Sequence, residues 1–418
     1  MATHAMSGTR ESGAFYAAVR QVSLDLASPL SDADATIQPM PDASPAKWHL
    51  AHTTWFFETF VLRDHLPDYR PFDERWAYLF NSYYEGEGAR QPRPRRGMLS
   101  RPSLDEIRAY RAHVDAALLQ AQAGLPADLI TLGLHHEQQH QELLLMDMLA
   151  ALAENPLRPA VWPAVAATPA APAADPLRWI ACVGGIAAIG AEGPDFAFDC
   201  ERPRHEVLLR PYALTDRPVT NGEWLDFIAA GGYAEAGLWL SDGWAWLQHE
   251  GIAAPLYWVR QDDGWYRFGL DGFRPVDPAE PVTHISYYEA DAFARWAGAR
   301  LPTEQEWEVA AASADPLAGH QLDEAGPVRP RPTPPVSGLR DLFGNAWEWT
   351  ASAFLPYPGF RPAEGTVGEY NGKFMSSQMV LRGGCCATPR GHVRATYRNF
   401  FYPHQRWMFS GLRLAKDL

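Results

Sequence analysis

The chain has 418 residues, more than one hydrophobic core usually serves, so two domains are the default. Its 47% hydrophobic and 12% aromatic content is ample for folded cores, and a formal net charge of −14 argues against nucleic acid, whose phosphates demand a basic face. Four cysteines (Cys182, Cys200, Cys385 and Cys386) are too few for a secreted disulfide scaffold, MATHAMSGTRESG lacks a signal-peptide profile, and no stretch approaches the ~18 apolar residues of a membrane span, so a cytoplasmic protein with no membrane partner is expected.

Helical spacing of apolar residues comes first, in ESGAFYAAVRQVSLDLAS, and again in SPAKWHLAHTTWFFETFVLRDH, where Ser44-Pro45 predicts a helix start with proline at the first helical position. A long loop over 66–102 follows, rich in proline, glycine and arginine. SLDEIRAYRAHVDAALLQAQ and LGLHHEQQHQELLLMDML supply two further helices. Four helices with one long crossover predict a bundle over residues 1–155, and bundles build metal sites from facing helices. Residues 156–176, almost all proline and alanine, read as a semi-rigid linker. From 177 to 418 the pattern changes to short β-like pieces (WIACVGGIAAIG, HEVLLRPYALT, PVTHIS), glycine-rich turns and a few helices. Three of those helices start with capping boxes: Thr220 with Glu223, Ser286 with Glu289, and Thr303 with Glu306. The fold class expected is α+β in two domains.

In HEQQHQE, His136 and His140 stand at i and i+4, so both project from one helix face and can share a metal ion. His135 lies about 100° around the helix and is a neighbour, not a ligand. A third ligand has to come from another helix, and WHLAHTTWFFE offers His49 and His52, between which periodicity does not choose. Three histidines and no cysteine would leave open positions, which suits chemistry at the metal better than a closed structural site.

HEQQHQE together with SPAKWHLAHTTWFFETF resembles the DinB-like bundle of sulfoxide synthases, the non-haem iron enzymes of ergothioneine biosynthesis. The carboxy-terminal half resembles the formylglycine-generating-enzyme-like, C-type-lectin-related fold, through RLPTEQEWEVAA (300–311), LFGNAWEWT (342–350), LRGGCCATP (381–389) and FSGLRLA (409–415). The resemblance implies Fe(II) held by His136, His140 and the histidine of the L-A-H triplet, His52, with Glu142 orienting a ligand histidine. It implies hercynine, cysteine and O2 as substrates, and Gln139 on the substrate imidazole. The segment after Y-R-N would line the iron pocket, pointing to Asn399, Phe400 and Phe401. Formylglycine generation itself needs two cysteines spaced five apart beyond R-G-G; here Cys385 and Cys386 are adjacent and none follows, which argues against it.

The branch of the family that uses γ-glutamylcysteine carries an aspartate two residues after the R-N asparagine and an arginine four further on. This chain has Phe401 and Gln405 there. FNSYYEGEG (80–88) instead resembles the branch that accepts free cysteine, whose paired tyrosines, Tyr83 and Tyr84 here, deliver a proton or an electron. Five arginines in RQPRPRRGMLSR read mostly as a solvated loop, with Arg96 and Arg101 chosen to grip the cysteine carboxylate. A structural calcium on Asn345 and Glu348 is a further reading of GNAWEW, which packing explains as well. The rival functions are zinc-dependent thiol transfer or hydrolysis in a DinB-like bundle and a non-enzymatic binding module. Oligomeric state is not legible.

Overall fold

The structure is a computed structural model, described here for residues 2–163, 175–365, 368 and 371–418. Most of the proline- and alanine-rich linker, residues 164–174, lies outside the described residues. The chain forms two compact units, Met1–Leu157 with Glu324–Gly326, and Arg158–Asp323 with Pro327–Leu418.

The first unit is helical: α1 (Ala2–Ala27), α2 (Ala46–Phe56), the short α3 (Trp76–Phe80), α4 (Leu104–Ala121) and α5 (Ala127–Ala153). Helix α2 packs on both α4 and α5, and α1 packs on α5. It starts one residue later than the sequence predicts. Pro45 is the cap residue, extended at ψ 147°, and its carbonyl accepts from Trp48 and His49. After Phe56 the helix widens into a π-helix, Phe57–Arg63. Inside it the buried Glu58 accepts from Tyr69 Oη, Phe72 N and Tyr110 Oη, which ties the long loop to α4. The long loop expected over 66–102 contains α3, whose apolar WAYLF docks Trp76 and Phe80 against Tyr110.

Two of the polar i,i+4 pairs that helix α5 buries set up the site. His136 and His140 form one. Glu137 and Gln141 form the other: Glu137 takes Arg20 (2.7 Å), Arg111 (2.7 Å) and Ser23 (2.6 Å), and Gln141 donates to Val19 O and Ser23 Oγ. The second pair pins α5 to α1 and α4, and so fixes the rotation that turns the first pair toward α2.

The second unit is α+β. In chain order it has β1 (Trp179–Cys182), β2 (Gly185–Ile189), β3 (His205–Leu209), β4 (Tyr212–Thr215), α6 (Asn221–Ala229) and α7 (Ser241–Glu250). Then come β5 (Trp258–Gln261), β6 (Gly264–Gly269), β7 (Gly272–Pro275), α8 (Tyr287–Trp296), α9 (Glu304–Ala311) and β8 (Trp347–Ala353). It closes with β9 (Met379–Arg382), β10 (Asn399–Phe401), β11 (Ser410–Gly411) and β12 (Ala415–Asp417). The sheets are small: β1-β4-β12, β10-β9-β8-β11, β2-β3 and β5-β6-β7. All three predicted capping boxes form, at α6, α8 and α9, and a fourth joins Ser103 to Glu106 at α4. PVTHIS is not a strand. His284 sits at φ 62°, in the left-handed region that breaks an extended run, and Ser286 caps α8 directly after it.

The four carboxy-terminal signature segments interlock. Glu348 of GNAWEW receives Arg413 (2.8 Å) and the indole of Trp307 (2.7 Å), all three fully buried. Arg382, of LRGG, reaches Glu304 (3.0 Å) and Glu308 (2.8 Å) of EQEWE, and Arg398 closes on Glu304. Packing, the other reading of GNAWEW, accounts for both side chains. Arg413 supplies the positive charge at Glu348, and the Asn345 side chain is spent on Arg331 N and Asp341 Oδ1. Cys385 and Cys386 are both buried.

Candidate metal centre

His52, His136 and His140 each offer a ring nitrogen, and the three nitrogens lie within 4.8 Å of one another. The ring centroids are 4.7–5.0 Å apart, and all three residues are buried. His136 and His140 come from consecutive turns of α5, and His52 from the facing side of α2, so the site spans the α2–α5 contact. The choice left open by periodicity falls on His52.

His52 is held on every side. Its ring is sandwiched between Trp48 (4.6 Å, 12° between planes) and Trp55 (5.6 Å, 15°), four residues before it and three after, on the same helix face. Its Nδ1 lies 2.6 Å from Phe80 O, and Trp48 Nε1 donates to Leu79 O. Those two carbonyls belong to the last residues of α3, where a helix leaves its C=O groups free for outside donors. With Nδ1 donating, the His52 lone pair is on Nε2, which is buried and meets no hydrogen-bond partner among the described residues. An orphaned buried imidazole nitrogen beside two more imidazoles is what a metal ligand looks like without its metal.

Electrostatics agree. Burial, reinforced by His136, holds His52 well below the usual imidazole range, and burial with the neighbouring imidazoles does the same to His140. Burial brings His136 down to about 4, with Glu137 opposing. All three are therefore neutral at pH 7, the form that binds a metal. For His52 and His140 the orienting partners are Phe80 O and His49.

The other predicted residues are placed as follows. Tyr84 is buried, with its ring 5.6 Å from Trp55 and 5.2 Å from Phe60; Tyr83 is half-buried beside it. Gln139 is half-buried on α5 next to His140. Arg96 is buried, its guanidinium 3.4 Å from the centroid of Trp48, with bonds to Ser44 Oγ and Ser82 Oγ. Among the described residues no carboxylate is in ion-pair range of it, and its Nε meets no partner. Arg101 goes elsewhere: its side chain is 81% exposed, beside Glu106. In the second unit Asn399, Phe400 and Phe401 form β10, all half-buried. Phe400 stacks on Phe354 (4.0 Å), Phe401 meets Trp407 edge-on, and Asn399 accepts from Phe400 N. Gln405 accepts from Tyr402 N.

Sequence reasoning passed over Asp147. It lies seven residues, two helical turns, beyond His140, and that spacing on an otherwise apolar stretch was the available signal.

Comparison with known proteins bears on the whole chain. The DinB superfamily profile matches residues 16–155, and the sulfatase-modifying factor enzyme 1-like domain matches 166–327 and 328–418. The hercynine oxygenase of Mycolicibacterium smegmatis is 35% identical over 93% of this chain and 94% of its own. The chain belongs to the hercynine oxygenase family. The Mycobacterium tuberculosis hercynine oxygenase is 33% identical over the same shares. A formylglycine-generating enzyme of Streptomyces coelicolor is 30% identical, over 61% of this chain and 95% of its own. As a member of an oxygenase family, the chain is an enzyme of two halves, helical DinB and α+β. No helix among the described residues is long and apolar enough to cross a membrane.

Proposed function

We propose that this enzyme is a non-haem iron(II) sulfoxide synthase. It would join cysteine sulfur to C2 of the hercynine imidazole with O2, giving S-(hercyn-2-yl)-L-cysteine S-oxide in ergothioneine biosynthesis. The balance closes with one O2: the C2–H and S–H bonds are lost, a C–S and an S–O bond form, and the second oxygen atom leaves as water. The observation that carries the reading is the neutral, buried triad with an orphaned His52 Nε2, in a chain of this family. The donor set of three imidazoles, without thiolate or carboxylate, suits iron(II) with open positions. Iron, when bound at His52, His136 and His140, supplies activation of O2 and lowers the pKa of the donor thiol.

The chain's own groups divide the remaining work. The helical part, drawn at 1–155, carries the metal; 156–176 links it to the α+β part at 177–418. Arg96 is a buried cation without a carboxylate partner, and a guanidinium stays protonated in proteins, so its free edge suits the carboxylate of cysteine. Arg101, out in solvent, is the weaker choice for that role. Tyr84, with Tyr83, donates a proton or an electron during oxygen chemistry, and its place against Trp55 puts it one ring from His52. Gln139 hydrogen-bonds the hercynine imidazole. Asn399, Phe400 and Phe401 line the substrate, whose trimethylammonium group favours aromatic faces. Cysteine rather than γ-glutamylcysteine is the donor because Phe401 packs on Trp407 and Gln405 caps its own turn, so neither offers a charge to a glutamyl group.

The test is anaerobic loading with Fe(II), then oxygen uptake and mass spectrometry with hercynine plus cysteine or γ-glutamylcysteine. Oxygen uptake matched by the cysteine sulfoxide is expected. Exclusive use of γ-glutamylcysteine would overturn the donor, and metal binding as zinc without oxygen consumption would favour thiol transfer or hydrolysis. Tyr84→Phe should divert turnover toward oxidation of cysteine; an unchanged product ratio would remove both tyrosines from the chemistry.

A further inference from the structure

Behind the triad, a second line of polar groups crosses from α5 to α2 and back. His140 Nδ1 lies 2.8 Å from His49 Nδ1, and His49 Nε2 lies 3.1 Å from Asp147 Oδ2. The same carboxylate oxygen accepts from Ser44 N at 2.7 Å, at the entry to α2. All of these residues are buried: His49 and Asp147 are each 3% exposed, and His140 is 6%.

The end group sets the direction of the first bond in the line, and with a neutral His49 the second follows from it. A carboxylate only accepts, so His49 Nε2 must carry a proton. A neutral His49 then has its lone pair on Nδ1. That lone pair can face His140 Nδ1 only if His140 donates, which puts the His140 proton on Nδ1 and leaves Nε2 bare. Nε2 is the nitrogen that a metal at the triad would need from His140.

We propose that Asp147 and His49 form a hydrogen-bonded relay that fixes His140 as an Nε2 metal ligand and holds its ring in place. The proposal rests on the metal-centre reading above. His49 and Asp147 are positioning residues that act through His140 and touch no substrate. The relay parallels the hold on His52, whose Nδ1 is fixed by Phe80 O, but uses a charged end group instead of a backbone carbonyl. It also explains why the chain has two histidines in WHLAH: one binds the metal and the other orients the ligand across the helix contact. Carboxylate–histidine–metal lines are a general means of fixing ligand tautomers and raising ligand basicity; here a second histidine is interposed.

The test uses the full chain without metal, labelled with 15N-histidine, and titration with Co(II) as the probe. In the wild type, His140 should carry its proton on Nδ1. His49→Phe removes the acceptor while keeping a ring in the space, and Asp147→Ala removes the end group. Each should weaken Co(II) binding about 10–100-fold and release His140 to the Nε2–H form. Asp147→Asn should restore most of the affinity, because the Ser44 N–H holds an acceptor oxygen where His49 also needs one. Should His49→Phe fail to fold, which thermal unfolding reports, the Asp147→Ala and Asp147→Asn pair decides alone. A wild-type His140 protonated on Nε2, or variants that bind Co(II) like the wild type, would overturn the relay. A wild type that binds no Co(II) would overturn the metal centre instead, and the His140 tautomer would still decide the relay.

Discussion

Both units bury closed networks of charge, as at Glu137 with Arg20 and Arg111, and the helical unit also buries an open one. In the α+β unit Arg382, Glu304, Glu308, Arg398, Arg413 and Glu348 neutralise one another in closed pairs, some fully out of water. In the helical unit three imidazoles are gathered without any acid among them, and one keeps a nitrogen that nothing satisfies. Burying polar groups is expensive in either case. A closed network returns that cost as hydrogen bonds and Coulomb attraction, so it serves the fold. An open one returns it only when something else arrives, so it serves a ligand. The distinction bears on Glu348, which resembles a ligand in sequence but meets an arginine 65 residues away.

The contrast can be broken at its strongest point by His52→Ala. Iron content and turnover with hercynine, cysteine and O2 should fall to background, while the metal-free variant still folds and loses only the Nδ1–Phe80 O bond and the packing between Trp48 and Trp55. A metal-free variant that does not fold would mean that His52 is structural first. Arg413→Met is the mirror experiment. Leaving Glu348 buried and unpaired should cost about 3–5 kcal/mol in urea unfolding, with or without metal. A loss under ~1 kcal/mol would show that the closed network is not what holds this unit together. Next in size is the linkage between metal and folding. Fe(II) at about 100 times its dissociation constant should stabilise the wild type by about 2.7 kcal/mol and leave His52→Ala unmoved. Equal shifts in both proteins would place the metal elsewhere.

How much of this was readable beforehand depended on distance along the chain. The bundle, the i,i+4 histidines and the three capping boxes rest on spacings of seven residues or fewer, and all of them formed. What spacing left open needed contacts across helices: the choice of His52 over His49, which only the resemblance made, the place of His49 between His140 and Asp147, and the hold of Phe80 O on His52. PVTHIS failed for a local reason, since a left-handed backbone at His284 has no signature in a run of β-formers. The arginine-rich loop shows both outcomes. Arg96 and Arg101 are alike in sequence, yet one is packed on Trp48 and the other is in water. No property of a five-residue separation in a loop would have told them apart.

Acidification sharpens the comparison from the side of the closed unit. His284 is pushed down to about 3, burial being the main cause and Arg267 adding to it. In the unfolded chain it titrates near 6.5. The unfolded state therefore binds the proton first as pH falls. The neutral histidine's contribution is whole above about 6.5 and is lost progressively toward 3, at about 1.4 kcal/mol per pH unit. His284→Gln should flatten that slope by one proton in unfolding followed across pH, and an unchanged slope would mean that His284 is already charged in the fold.

The smallest effect concerns the helix starts, where the two units should behave alike. Ser103 at α4 and Thr220 at α6 each accept from the backbone N–H three residues on, and in each box the glutamate side chain returns a bond to the cap residue's own N–H. Replacing either cap with alanine should cost about 1 kcal/mol. The two sites differ in what else depends on them. Glu223 also holds Arg217, at 2.9 and 3.0 Å, whereas Glu106 has only the distant and exposed Arg101. Thr220→Ala should therefore cost more than Ser103→Ala in parallel unfolding curves. The reverse order would show that Arg217 and Glu223 keep their geometry without the cap, and that this box is a consequence of the ion pair and not its support.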